Sequence, residues 1–212
     1  MKTILLTGAS GGIGSATKAA LEATGAHIIA VERQDVDLAS YEETKAFSDR
    51  VAKEASLDWL VFTHGFISTE TEFEKQKPEE IKLTFDLNIL SVIYLTQLLL
   101  PSLRPGGGVV FISSSAGLTP NGRHAVYSAS KAAVNAFSQA LAHNKPGLLF
   151  ISVCPGPTNT AMRERVAHDA AKQQSPDVVA QIIVDIVSGL PEYKSGDVIL
   201  VKDGSVSVEP KV

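Results

Sequence analysis

The stretch Thr7-Gly8-Ala9-Ser10-Gly11-Gly12-Ile13-Gly14 follows an apolar run at residues 4–6 and leads into a predicted helix. Its glycines permit a sharp turn and a close approach of backbone N–H groups to a ligand, and the N-terminus of the following helix carries partial positive charge. Because no Gly-Lys-Ser/Thr follows, the pattern differs from the P-loop and favours the pyrophosphate of a dinucleotide. A tight strand-helix turn without a ligand is the alternative. The predicted cofactor contacts in this turn are Gly8, Ser10, Gly12, Ile13 and Gly14.

Short apolar runs that do not alternate with polar residues recur along the chain. Such runs predict strands covered on both faces, as in a parallel sheet, and the spacers between them are long enough for crossover helices. The pattern therefore predicts an α/β fold, a doubly wound parallel sheet of the Rossmann type, in a single domain over residues 1–212. The predicted strands lie at 4–6, 27–31, 59–63, 109–112, 148–153 and 198–201, and the predicted helices at 12–24, 40–54, 78–103, 124–143 and 176–188.

The composition, 44% hydrophobic and 20% charged over 212 residues, is that of an ordinary globular protein. A net charge of -4 provides no basic field for nucleic acid or anionic lipid. The single cysteine, Cys154, excludes an internal disulfide and fits a reducing compartment. The N-terminus has no signal-peptide pattern, and the apolar stretch at 89–100 is shorter than the roughly 20 residues of a membrane span. We therefore expect a cytoplasmic protein that binds neither membrane nor nucleic acid.

Two charged residues at the end of the second predicted strand bear on the choice of coenzyme. Glu32 occupies the position at which a carboxylate accepts hydrogen bonds from the adenosine ribose and repels a 2'-phosphate, whereas the neighbouring Arg33 is able to bind that phosphate. The glycine turn contributes no Arg or Lys, so NAD(H) is favoured and NADP(H) stays possible. Solvent exposure of both side chains is the structural alternative.

A tyrosine and a lysine share one face of the helix predicted at 124–143. Tyr127 and Lys131 are four residues apart, and a nearby ammonium favours the phenolate, so we expect Lys131 to lower the pKa of Tyr127 from about 10 toward neutrality. A tyrosine tuned in this way exchanges a proton with an alcohol or carbonyl. Tyr41 and Lys45 have the same spacing but no glycine turn or strand-end hydroxyl beside them, so we expect them to be surface residues.

In combination, the motifs of this chain resemble the short-chain dehydrogenase/reductase family. They are Thr-Gly-x-x-x-Gly-x-Gly at 7–14, Ser-Ser-x-Ala-Gly at 113–117, Tyr-x-x-x-Lys at 127–131 and Pro-Gly at 155–156. The resemblance covers nearly the whole chain. It implies that Tyr127 is the general acid/base, that Lys131 tunes Tyr127 and holds the nicotinamide ribose, that Ser114 orients the substrate oxygen and that Asn88 supports a water relay to Lys131.

The same resemblance implies further cofactor contacts and two departures from the family pattern. The contacts are Asp37 and Leu38 on the adenine side, and Thr63, Gly65, Pro155, Gly156, Thr158 and Thr160 near the nicotinamide. The second predicted strand passes almost directly to residues 35–37, expected here to be the third strand, so the region between strands two and three is shortened. The family's Asn-Ala-Gly turn is Thr63-His64-Gly65, which makes His64 the one histidine expected near the cofactor.

These features predict hydride transfer between a nicotinamide coenzyme and a small alcohol or carbonyl substrate. The alternative is a catalytically silent protein of the same fold that senses dinucleotides. The helix at 78–103 is apolar on nearly all sides, which, with the Ala-rich helix at 125–141, predicts a homodimer or homotetramer. Residues 161–175 are expected to cover the pocket, with solvent favoured over substrate as the environment of Arg163, Glu164 and Arg165. The spacing of histidines 27, 64, 124, 143 and 168 predicts no catalytic metal.

Overall fold

The computed structural model describes residues 1–166, 173–189 and 193–210, and these residues form one sheet of seven strands. Six strands are parallel, and the last pairs antiparallel with its neighbour. The strands are β1 (Thr3–Thr7), β2 (His27–Val31), β3 (Leu57–Phe62), β4 (Leu103–Ile112), β5 (Leu149–Pro155), β6 (Val198–Lys202) and β7 (Ser205–Glu209). Their order, β2-β1-β3-β4-β5-β6-β7, reverses direction between β1 and β3. Ligands of doubly wound sheets bind at the carboxyl ends of the strands at such a reversal.

Helices connect the parallel strands and cover both faces of the sheet. They are α1 (Gly12–Ala23), α2 (Tyr41–Glu54), α3 (Pro78–Phe85), α4 (Ser91–Leu99), α5 (Ala125–Asn144), α6 (Ala161–Val166) and α7 (Pro176–Ser188). The Ser40 side chain accepts a hydrogen bond from the backbone of Glu43 at the start of α2, and Ser175 caps α7 in the same way. These caps satisfy N–H groups that the first turn of a helix leaves without a partner.

The continuous apolar strands have buried side chains on both faces. Along β1, Ile4 and Leu6 face a core shared with α1 and α7, whereas Leu5 faces a core shared with α2, α4 and α5. Because successive side chains of a strand point to opposite faces, a strand covered on both sides needs apolar residues at consecutive positions. The predicted fold class is confirmed.

The link between β2 and α2 differs from the expectation. Residues 32–40 form turns and no strand, so the predicted third strand at 35–37 is absent and β2 forms the edge of the sheet. Val36 is buried in the core against α2, while Asp35 and Asp37 are exposed. Val36 is the only buried residue among residues 32–40, and one buried side chain is too few to hold this segment as an additional strand.

The predicted helix at 78–103 is a helical run, Pro78–Ser102, interrupted by a π-helical turn at Asp86–Leu90. Contrary to the expectation from its apolar stretch, this run has the length and composition of a membrane span, with a mean hydropathy of 1.6 in its most apolar window. Within the domain it packs against α2 and α5 and contributes to the core, as apolar helices of globular proteins do. By itself the run is weak evidence for a membrane.

Candidate active site

A cleft of about 960 Å³, measured out to its open mouth, lies at the carboxyl ends of β3, β4 and β5. Many of the predicted site residues line it, although they come from distant parts of the chain. These are Ile13, Thr63, Gly65, Ser114, Tyr127, Lys131, Pro155, Gly156, Thr158 and Thr160. The parallel strands end at the same edge of the sheet, so the fold brings their terminal residues together.

The other predicted residues lie around this cleft rather than in its wall. Gly8, Ser10, Gly12 and Gly14 form the turn between β1 and α1, and Asn88 is buried behind the wall. Glu32, Arg33, Asp37 and Leu38 lie in the loop that follows β2. The structure therefore brings the predicted catalytic group together and places the predicted adenine-side contacts in a separate loop.

The glycine turn has the features of an anion site. Gly8 adopts a positive φ of 69°, and a Cβ there would lie 2.8 Å from the backbone nitrogen of His64. The first turn of α1 has no side-chain cap and no acidic residue. Its N–H groups and the positive end of the helix dipole thus suit a pyrophosphate. The turn therefore fits a dinucleotide.

Tyr127 and Ser114 are coupled at the centre of the cleft. Burial raises the pKa of Tyr127 to about 12, while a hydrogen bond to the Ser114 side chain acts in the opposite direction. The prediction that Lys131 brings the pKa of Tyr127 toward neutrality is wrong for this arrangement, because removing the phenolate from water outweighs the favourable interactions. Tyr127 is therefore a neutral phenol at neutral pH.

Lys131 lies beneath Tyr127, with its Nζ 5.8 Å from the centre of the phenol ring. The ammonium donates a 2.8 Å hydrogen bond to the carbonyl of Ile112 at the end of β4, and the side chain is 4% exposed. Burial lowers the pKa of Lys131 to about 8. Lys131 is thus mostly protonated at neutral pH and is held in a fixed position.

Asn88 lies in the π-helical turn, a rare element that is frequent at functional sites. Its amide oxygen accepts from the backbone N–H of Phe66 at 2.7 Å, and its amide nitrogen donates to the Phe66 carbonyl and to Ser130 Oγ. A Cβ on Gly65 would lie 3.1 Å from Asn88 Oδ1 and 3.5 Å from Lys131 Nζ. Asn88 therefore fixes the loop after β3 and lies close to Lys131.

His64 joins three elements under the glycine turn. Its Nδ1 lies 2.5 Å from Thr7 Oγ1 and its Nε2 lies 2.7 Å from Ser91 Oγ. Ser91 donates its own hydrogen to the Leu87 carbonyl, so it accepts from His64 Nε2–H, and Nδ1 then accepts from Thr7. Burial, together with the charge of Lys131, lowers the pKa of His64 to about 3. His64 is a neutral imidazole that lines the cleft.

This neutral histidine predicts a loss of stability in acid. In the unfolded chain His64 takes up a proton near its ordinary pKa of 6.5, whereas the folded protein takes it up only near pH 3. Between these values the unfolded state binds one more proton, so the free energy of unfolding falls as the pH falls. We expect His64→Gln to remove about 1.4 kcal/mol per pH unit from the slope between pH 4 and 6 in urea unfolding. The exposed His143→Gln is the control, and parallel curves for wild type and His64→Gln would contradict the assignment.

Two carboxylates of the loop after β2 accept hydrogen bonds from groups of the same loop. Asp35 Oδ2 accepts from the backbone N–H of Glu32 at 2.8 Å, and Glu32 Oε2 accepts from Gln34 Nε2 at 2.8 Å. Arg33 is exposed beside them. Asp37 accepts from the backbone of Ala39 through its own carboxylate, which orders the approach to α2. The loop is therefore negatively charged where it faces the end of β2.

The segment after β5 forms the outer wall of the cleft. Thr158 donates to the Gly156 carbonyl, and Thr160 lies against the glycine turn, since a Cβ on Gly12 would lie 2.5 Å from the Thr160 methyl. The expectation that solvent surrounds Arg163 is wrong, because Arg163 is half-buried and lines the cleft. Glu164 and Arg165 are exposed as expected. The rest of the predicted cover falls partly at 167–172, including His168, which lies outside the described residues.

Comparison with known proteins identifies the family. The family model for short chain dehydrogenase matches residues 33–171. The chain belongs to the short-chain dehydrogenase family. The matched residues of this short-chain dehydrogenase include Ser114, Tyr127 and Lys131, and the glycine turn precedes them. Oxidoreductase activity and NAD(P) dependence follow from family membership.

Individual relatives agree over nearly the full length of the short-chain dehydrogenase. Acetoacetyl-CoA reductase of an Acinetobacter species is 30% identical, with coverage of 96% of this chain and 97% of the relative. A short-chain dehydrogenase from Shigella flexneri, solved in complex with NADP, is 25% identical with a TM-score of 0.84 and 96% coverage of both chains. Aldohexose dehydrogenase of Thermoplasma acidophilum shares the fold, with a TM-score of 0.87 at 23% identity and coverage of 96% and 93%.

Three features of the site escaped the sequence analysis. Ser130 supports Asn88, and its own hydroxyl donates to the Tyr127 carbonyl at 2.7 Å. His124 is buried in the cleft wall. Arg163 lines the cleft, whereas Glu164 and Arg165 of the same helix are exposed. The first two lie within or beside the Tyr-x-x-x-Lys helix, so their spacing from Tyr127 was the available signal. Among the described residues no cluster of three or more potential metal ligands occurs.

Proposed function

We propose that this short-chain dehydrogenase transfers a hydride between NAD(H) and a small alcohol or carbonyl compound, with Tyr127 as general acid/base. The observation that carries the proposal is the convergence of Tyr127, Ser114 and Lys131 in one cleft beside an uncapped glycine turn. When bound, the nicotinamide supplies or accepts the hydride. Gly8, Ser10, Gly12, Ile13 and Gly14 would hold the pyrophosphate, and Lys131, Thr63, Gly65, Pro155, Gly156, Thr158 and Thr160 would hold the nicotinamide side.

The neutral phenol suits Tyr127 to the reduction direction. Its hydroxyl donates a proton to the substrate oxygen, which becomes an alcohol, while Ser114 hydrogen-bonds to the same oxygen and orients it. The phenolate left behind is stabilised by the Lys131 ammonium beneath the ring. Asn88 holds the loop next to Lys131 and would support the water relay that returns a proton to Lys131. Each group thus acts on a proton or on the position of the reacting oxygen.

The preference for NAD(H) over NADP(H) rests on the charge of the loop after β2. Glu32 and Asp35 together present two carboxylates near the expected adenosine ribose, and a 2'-phosphate carries further negative charge into that region. Arg33 is exposed and adjoins these acids, which reduces its attraction for a phosphate. Asp37 and Leu38 are proposed to contact the adenine from the same loop.

A homodimer or homotetramer is proposed from the helical run Pro78–Ser102 and α5. Phe85 and Leu90 are each 37% exposed on that run, and the proposal is that they belong to an apolar association surface. A monomeric mass at micromolar concentration, measured by sedimentation, would contradict the proposal. We propose a cytoplasmic location from the composition alone.

A coenzyme titration followed by a carbonyl screen tests the proposed function. We expect NADH to bind more tightly than NADPH in a fluorescence titration, and its absorbance at 340 nm to fall when a suitable aldehyde or ketone is added. Tighter binding of NADPH would overturn the coenzyme preference alone. Tight binding of either coenzyme without turnover across a broad panel of carbonyls would instead support a dinucleotide-sensing protein.

A further inference from the structure

Gln174 lies just before α7, and its backbone pairs with the segment that follows β5. Its N–H donates to the Pro157 carbonyl, and its carbonyl accepts from the Asn159 N–H, each at 2.9 Å. These two hydrogen bonds form a parallel bridge between Thr158 and Gln174. The bridge uses backbone atoms only, so substitutions of Gln174 change the side chain and leave these two bonds possible.

The side-chain amide of Gln174 makes two further hydrogen bonds. Its Nε2 donates to the Val201 carbonyl at 2.9 Å and to Thr158 Oγ1 at 3.2 Å. A backbone carbonyl only accepts hydrogen bonds, so the amide presents its NH2 group to Val201, and the second hydrogen of that group is directed to Thr158. Val201 is fully buried in β6. The orientation of the Gln174 amide is therefore fixed from the core of the sheet.

These contacts close a hydrogen-bonded ring of four residues, Gly156, Thr158, Gln174 and Val201. Thr158 Oγ1 accepts from Gln174 and donates its own hydrogen to the Gly156 carbonyl at 2.9 Å. The Gly156 N–H donates in turn to the Val201 carbonyl at 2.8 Å. Hydrogen bonds that are connected in this way strengthen one another. Removal of the Gln174 amide opens the hydrogen-bonded ring and leaves Thr158 Oγ1 with its bond to Gly156.

Thr158 is the member of this ring that has an N–H and a C=O suited to a ligand. It lines the cleft, and among the described residues Gln174 is not part of that wall. In an extended segment the backbone groups of successive residues point to opposite sides, so the bridge through Pro157 and Asn159 directs the N–H and C=O of Thr158 away from Gln174. One donor beside one acceptor complements a carboxamide, which offers a C=O and an NH2 group. The nicotinamide carries such a carboxamide.

We propose that Gln174 is a positioning residue for the nicotinamide, because its side-chain amide holds Thr158 in the place where the Thr158 backbone binds the carboxamide. The inference rests on the proposed function and deepens it. Gln174 acts through Thr158 and touches neither coenzyme nor substrate. Its effect is confined to the nicotinamide half of the coenzyme, because the hydrogen-bonded ring lies outside the glycine turn that suits the pyrophosphate.

Calorimetric titrations with NADH and with ADP-ribose, which lacks the nicotinamide, test this role. Gln174→Met keeps the length of the side chain and removes its hydrogen bonds. We expect this variant to bind NADH about fivefold more weakly, the usual effect of losing a neutral hydrogen bond, and to change its affinity for ADP-ribose less than twofold. Gln174→Glu, whose carboxylate cannot donate to the Val201 carbonyl, should weaken NADH binding at least as much.

Gln181→Met is the matched control, because Gln181 is exposed on α7 and its side chain donates to Asp185. It should leave both affinities unchanged. Thr158→Val, which removes the hydroxyl, tests whether Gln174 acts through Thr158. Combined with Gln174→Met, it should weaken NADH binding less than the product of the two single effects, because both substitutions remove the same hydrogen bond. Effects that multiply fully would overturn the proposal.

The two ligands also separate this inference from the proposed function. Equal losses of NADH and ADP-ribose affinity in Gln174→Met, or unchanged NADH affinity in both Gln174 variants, would overturn the role of Gln174 and leave hydride transfer intact. Wild-type protein that binds NADH no more tightly than ADP-ribose would overturn that role as well. Failure of the wild type to bind NADH, NADPH or ADP-ribose would overturn the proposed function, and the inference with it.

Discussion

Tyr127→Phe is expected to lower kcat by about a thousandfold and to change coenzyme affinity less than threefold. The substitution removes the hydroxyl that would give its proton to the substrate oxygen, and general acid catalysis contributes factors of about 10² to 10⁴. The phenyl ring keeps its packing above Lys131, so the pocket keeps its shape. Steady-state kinetics on a carbonyl found in the screen, with a fluorescence titration of NADH, measure the two quantities separately.

The chain contains its own control for this experiment. Tyr41 has the same spacing from Lys45 that Tyr127 has from Lys131, but Tyr41 is 41% exposed and packs edge-on against Tyr94. Lys45 forms an ion pair with Asp49 on the surface. Tyr41→Phe should therefore leave kcat unchanged. Equal kcat for Tyr127→Phe and wild type would remove Tyr127 from the mechanism.

The fold was predictable because the strands carry apolar residues at consecutive positions. Runs such as residues 27–31 and 198–201 argue against a sheet with one solvent-exposed face. The helical spacers between such runs then favour right-handed crossovers and a doubly wound sheet. β7 was not predicted because its Ser-Val-Ser-Val pattern alternates and so differs from the continuous apolar runs of the parallel strands; Val206 and Val208 are about half exposed. A signal was nevertheless present: Asp203-Gly204, with both residues at positive φ, is a strong hairpin turn.

The pKa of Tyr127 was not predictable from spacing alone. The four-residue separation correctly places Lys131 next to the ring, but a local pattern contains no information about how much water the folded cleft excludes. Desolvation is contributed by segments distant in sequence, and here it reverses the direction of the shift. In the proposed mechanism Tyr127 therefore starts as a neutral phenol that donates a proton, not as a phenolate that accepts one.

The orientation of α6 also depends on contacts distant in sequence. Arg163 and Arg165 are both arginines of the same short helix and lie two residues apart, so the sequence does not show which of them faces the cleft. Thr160, just before α6, lies against Gly12, nearly 150 positions earlier, and Arg163 lines the cleft whereas Arg165 is exposed.

Gly14→Ala is expected to destabilise the protein by about 2 kcal/mol and to weaken NADH binding at least 100-fold. A Cβ at Gly14 would lie 1.9 Å from the Gly8 carbonyl oxygen and 2.7 Å from Thr63 Oγ1. Alanine normally stabilises a helix interior by about 1 kcal/mol relative to glycine, but overpacking against backbone costs about 1–3 kcal/mol and sometimes more. The backbone has to move, and its N–H groups then leave the positions that suit the pyrophosphate. Urea unfolding and a fluorescence titration measure the two effects.

Gly122→Ala distinguishes this clash from a general effect of alanine. A Cβ at Gly122 meets no atom within 4 Å. The free energy of unfolding of Gly122→Ala should therefore stay within about 0.5 kcal/mol of the wild-type value. Both variants replace glycine by alanine. Of the two positions, only Gly14 lies at the joint, the close contact between β1, α1 and the end of β3. At this joint Thr63 Oγ1 donates to the Thr7 carbonyl at 2.7 Å. Unchanged stability and NADH affinity in Gly14→Ala would mean that the backbone at this joint accommodates the added methyl group without loss of stability. The close approach of strand and helix would then have no role in shaping the coenzyme site.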